Sequence, residues 1–189
     1  MRARGTARGL DVRGDIAPVL AAALQSDSAL DPNPEAFARL NRAIEEAAEP
    51  PAAQPVPDLP PMAAEVSGKV YRLADNQFGV SCISLRFDTP SEVWFDLTLG
   101  TDRFELPVGM DAVPRFSETG PRGIPIGALG QWSTPTVFSM SYDDVAGPSH
   151  LRIRGDFGTS AETVELEFTD PSGYFAPQTV PASVVAACD

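Results

Sequence analysis

The period of the hydrophobic pattern changes near residue 65. Before it, Phe37, Leu40, Ile44 and Ala47 recur every three or four residues and draw one apolar stripe along a helix. Asn33 stands where an N-cap belongs, Pro34 takes the first helical position, and Glu35 lies near the positive end of the dipole. Pro50 and Pro51 end the pattern. An Ala- and Leu-rich run from Ile16 to Gln25 predicts a shorter helix, with Asp15 as its N-cap and Pro18 in its first turn. Residues 15–49 therefore hold one or two helices. Residues 1–14 have no periodicity and read as a disordered start.

From Val66 onward the period is two. The runs Lys69 to Leu73 and Cys82 to Phe87 alternate as strands do. Glu92 to Leu99 places Val93, Phe95, Leu97 and Leu99 on one face, and Arg103 to Val108 follows a Gly100-Thr101-Asp102 turn, so the two predict a hairpin. Ile124 to Leu129, Thr136 to Tyr142, His150 to Arg154 and Glu162 to Phe168 complete the set. In the last two, Leu151 and Ile153, then Val164, Leu166 and Phe168, point inward. About eight short strands without helices between them predict an antiparallel meander over residues 66–170. A sheet of that size hides its edges by closing into a lipocalin-like barrel, with a sandwich as the alternative. Residues 171–189 read as a C-terminal tail.

Composition sharpens the division. Six of the 19 prolines lie in residues 50–61, which reads 50–65 as a semi-rigid polyproline linker. The net charge of −12 counts against binding nucleic acid or an anionic membrane, both of which need a basic face. No apolar run is long enough for a transmembrane helix. The arginine-rich start followed by Ile16–Leu24 superficially resembles a signal peptide, but Asp11, Arg13 and Asp15 crowd the apolar run and Pro18 interrupts it. The compartment stays open, with a leaning toward the cytoplasm. Cys82 and Cys188 are too few for a disulfide scaffold or a four-cysteine zinc site. Cys82 is expected as a small buried residue and Cys188 as a frayed end. The alternative is a bond closing a loop of just over 100 residues, worth roughly 4–5 kcal/mol in the chain-entropy model.

The residues exclude more chemistry than they suggest. Lys69 is the only lysine, and Val66 stands where a Ser-x-x-Lys motif needs its serine. There is no Gly-x-Ser-x-Gly elbow, no metal-ligand spacing and no phosphate-cradling loop. His150, the only histidine, sits beside Ser149 and reads as a polar strand opening. Asp143 and Asp144 are adjacent, so they point apart and make a poor acid–base pair. No cofactor is implied. Trp94, Trp132 and Tyr142 remain as candidates for a ligand or partner surface; Trp94 lies on the face opposite Val93 and Phe95.

A run of short motifs carries a resemblance. Val66-Ser67-Gly68-Lys69-Val70-Tyr71, then Asn76-Gln77-Phe78-Gly79, Leu106-Pro107-Val108-Gly109-Met110-Asp111, Gly127 to Trp132 and Thr136 to Tyr142 occur in an order that resembles a particular accessory domain. It is the domain that follows the catalytic domain in class C β-lactamase-like, penicillin-binding-protein-like serine hydrolases. The resemblance spans roughly residues 34–170. It implies a non-catalytic β domain, or a fragment, that packs on or modulates a hydrolase domain of the same or a separate chain. The family's Ser-x-x-Lys, Tyr-x-Asn and Lys/His-x-Gly elements are missing here, so no catalytic residue carries over. The alternative function is a free-standing lipocalin-like module with a small ligand in its cavity.

Overall fold

The computed structural model describes residues 31–49, 51–147 and 150–188. The expected disordered start, the Ile16–Gln25 helix and Ser149 lie outside them. The chain divides into two units, residues 1–51 and 52–189. In the first, helix α1 (Pro34–Ala48) is capped as its sequence asks: the Asn33 side chain accepts from the Ala36 backbone N–H at 2.9 Å. Phe37, Leu40 and Ile44 are 64%, 55% and 56% exposed. Its apolar stripe faces solvent.

The second unit is a closed β-barrel. Its strands are β1 (Val70–Leu73), β2 (Val80–Thr89), β3 (Glu92–Leu99), β4 (Asp102–Gly109), β5 (Arg115–Phe116), β6 (Ile126–Thr134), β7 (Val137–Asp144), β8 (His150–Asp156), β9 (Thr163–Thr169) and β10 (Gln178–Val185). Around the wall they run β4-β3-β2-β1-β10-β9-β8-β7-β6, and β6 returns to β4. Nine strands close the ring. Antiparallel neighbours alternate in direction, so an odd ring must contain one parallel pair. That pair is β4–β6, joined at Gly109 and Leu129. The two-residue β5 lies outside the ring, on β6.

The core fills the lumen. Tyr71, Leu85, Phe95, Leu106, Met140 and Leu166 are among its buried side chains. A hole within it, lined by residues such as Ile83, Phe95 and Phe157, holds about 20 Å³, room for one water. The expected alternation is present: Val93, Phe95 and Leu97 point inward on β3, and Val164, Leu166 and Phe168 on β9.

The chain departs from the expected pattern in three places. Residues 61–65 of the expected linker, with Val66 from the expected start of the β domain, form a short helix, α2 (Pro61–Val66), which buries Met62, Ala63 and Val66. It is tied to β2 by Gly68 N–H on the Leu85 carbonyl and Phe87 N–H on the Ser67 hydroxyl. Val56 and Leu59 of the proline-rich strap before it also pack on the core. Second, the expected tail contains β10, which lies between β9 and β1. Pro181 disguises it, because proline is rare inside central strands. Here its carbonyl accepts from Ala74 N–H, just past the end of β1, and its missing N–H faces the same way. No ladder bond to β9 is lost. Third, Cys188 is no frayed end. It is bonded to Cys82, with Cα atoms 6.2 Å apart and 106 residues between them in sequence.

Candidate functional site

The barrel closes its interior to chemistry, so sites belong to its outer walls. His150 Nδ1 and Asp143 Oδ1 are 2.9 Å apart on one wall, both exposed. Asp144, one position on, points inward and is buried, where Arg122 donates to Oδ2 at 2.6 Å. The adjacent carboxylates therefore serve opposite faces, as strand geometry demands. Arg122 reaches Asp144 from a left-handed backbone position (φ 67°) in the turn Pro121–Gly123. Among the described residues, no group of three or more His, Cys, Asp and Glu side chains could hold a metal ion.

The three aromatic candidates do not converge. Trp94 is half-buried on the outer wall, opposite Arg86 on β2 and Pro107 on β4. Trp132 is half-buried among Phe87, Phe138 and Phe157, with ring centroids 5.5–5.9 Å away. Its Nε1 is buried without an acceptor. Tyr142 is not on a surface: it shares the inward phase of Phe138 and Met140 and is 9% exposed. Burial, then the Asp144 charge, raises its phenol far above the ordinary range. Tyr71, which donates to the Ala161 carbonyl at 2.8 Å, is raised the same way by burial and then by Glu162. Neither phenol can act as a base near neutral pH.

Two features of the outer walls escaped the sequence. On the β2–β4 wall, Asp96 faces outward yet its side chain is only 5% exposed. Arg86 approaches it at 3.4 Å and Arg103 at 3.7 Å, and Arg86 also bonds Glu105 at 3.2 Å. Burial raises the Asp96 carboxyl, and the arginine charges only partly offset it.

On the opposite wall runs a groove of about 710 Å³. The strap at residues 54–59 forms one side, pinned by Gln54 N–H on the Asp111 carbonyl at 2.8 Å. The floor is the outer face of β6–β9. Register aligns two rows across it: Leu129, Ser141, Arg152 and Thr169, then Gln131, Ser139, Arg154 and Glu167. Small side chains on β7 let the strap stand over a depression, and two arginines edge it. The alternation Ser139/Ser141 and Arg152/Arg154 was visible in the sequence; their alignment required the register.

No known protein-family model matches the chain, and no curated protein matches it.

Proposed function

We propose that this chain is a non-catalytic β domain related to the accessory domain of β-lactamase-like serine hydrolases, and that it packs against a hydrolase domain. The order of the motifs from Val66 to Tyr142 supports the reading. So does the filled barrel, which leaves no lumen for the lipocalin-like alternative. The observation that carries it is the stripe Phe37, Leu40 and Ile44, more than half exposed on a well-capped helix. An amphipathic helix gains most of its stability by burying such a face, so a bare stripe calls for a partner. Its chemistry is apolar, edged by the charged residues of the same helix.

The test is association. A Ser-x-x-Lys hydrolase domain encoded beside this chain, purified separately, should form a one-to-one complex with it in size-exclusion chromatography. The triple variant Phe37→Asp, Leu40→Asp, Ile44→Asp should abolish the complex while leaving the barrel's thermal transition unchanged. Lack of a complex, or its survival in the variant, would overturn the reading. So would labelling of this chain alone by a serine-reactive fluorophosphonate.

A further inference from the structure

We propose that the groove between the strap and the β6–β9 wall binds a small organic monocarboxylate, with the carboxylate on Arg152 and Ser141 and an apolar body beneath the strap. Its volume, about 710 Å³, lies within the roughly 300–1,000 Å³ of small-molecule sites.

The charge distribution points to the ligand. In this acid-rich barrel almost every cation is already engaged. Lys69, Arg86, Arg103, Arg115, Arg122 and Arg154 each face a carboxylate. Arg72 donates to the Ala187 carbonyl. Among the described residues of the barrel unit Arg152 alone has no such partner, and it stands on the groove floor. Ser141 sits directly across from it on β7. Side chains so paired have Cβ atoms about 5 Å apart, a span that one carboxylate bridges by accepting from both.

The remaining lining limits the choice. Asp58 on the strap and Glu167 on the floor are negative, and Asp111 is held by the Arg115 fork at 2.9 Å. A polyanion would meet the first two, so one negative charge is favoured over several. Val56, Leu59 and Leu129 offer the body an apolar surface. This assignment does not rest on the accessory-domain reading; the groove belongs to the barrel alone.

The experiment is a titration of the full-length chain followed by ¹H–¹⁵N spectra. The probes are N-acetyl-L-leucine, its carboxamide, and inorganic phosphate. The acid is expected to saturate with a dissociation constant of about 1 mM and to shift the amides of Ser141 and Arg152. The carboxamide, with the same body, should bind at least ~10-fold more weakly. Arg152→Gln should bring the two to the same weak affinity, whereas Arg103→Gln on the other wall should change neither. Equal binding of acid and carboxamide, no saturation by the acid, or shifts confined to another wall would overturn the proposal. Phosphate binding as tightly as the acid would overturn the carboxylate-plus-body assignment. The acid–carboxamide comparison needs no variant, so it stands even if a substitution impairs folding.

Discussion

On the wall formed by β1–β4, Asp96 faces outward but is covered by Arg86 and Arg103, and the disulfide binds the chain's end onto the same surface. On the wall formed by β6–β9, Arg152 stands in the open across from Ser141 and makes no ion pair among the described residues. One barrel thus carries a wall whose charges satisfy each other and a wall that leaves a cation over. The first arrangement stabilises; a buried charge there depends on its neighbours. The second contributes little to folding, because an exposed guanidinium is already solvated. Spare polar capacity on a surface costs little and is therefore where binding is built.

The largest expected effect breaks the staple on the first wall. Replacing both cysteines (Cys82→Ser with Cys188→Ser) should lower stability by about 4 kcal/mol, since the bond closes a loop of 106 residues. Guanidinium denaturation of the double variant, and of the native chain under a dithiol reductant, measures this. Hydrogen exchange should accelerate first in β1 and residues 186–188, and only later in β7–β9. Unchanged midpoints would mean that the first wall is held by its ladder alone.

The second prediction attacks the seam between the walls. Gly109 ends β4 where it meets β6, and a Cβ there would lie 1.9 Å from the Val113 carbonyl oxygen. Backbone cannot yield as a side-chain tip can, so Gly109→Ala should cost about 3 kcal/mol. Gly130→Ala meets side-chain atoms alone, of Phe138, Val108 and Met110 at 2.7, 2.9 and 3.4 Å, and should cost about 1–2 kcal/mol. Thermal melts of the two variants rank them. The reverse order would show that the parallel seam is pliable.

These two sites show what the sequence makes legible. Strands such as β3, β8 and β9 could be read because alternation survives along each of them. The closure could not. An odd strand number and one parallel pair depend on β10, which Pro181 hides, and on a seam made through a single residue pair. Helix α2 was masked by the prolines leading into it, although Met62 and Val66 are buried as core residues are. Of the functional candidates, α1 with its apolar stripe was readable from spacing alone. The groove was not, because it draws on six separate segments that only the folded barrel brings together.

The third prediction tests whether Asp96 depends on its cover. Arg86→Ala leaves it with Arg103 alone at 3.7 Å and should cost about 2 kcal/mol at neutral pH. The sign with pH is fixed by the raised Asp96 carboxyl. A raised acid is one whose charged form folding disfavours, so its burden is present above the unfolded value and fades as the group protonates. The deficit of Arg86→Ala should therefore shrink as the pH falls from 7 into the ordinary carboxylate range, followed by urea denaturation. Asp96→Asn should cost less than Arg86→Ala, because it removes the buried charge itself rather than its partner. A deficit that widens on acidification would contradict the covered-charge account.

The smallest effect is the sharpest contrast. Arg152→Gln, the matching loss of a guanidinium on the open wall, should change stability by no more than about 0.5 kcal/mol. The side chain is exposed and makes no ion pair among the described residues, so nothing is stranded when it goes. Parallel denaturation curves of Arg86→Ala and Arg152→Gln then set the two walls side by side. If Arg152→Gln proves as costly as Arg86→Ala, the open wall has a structural use for its spare cation, and a ligand is no longer needed to explain why Arg152 stands alone.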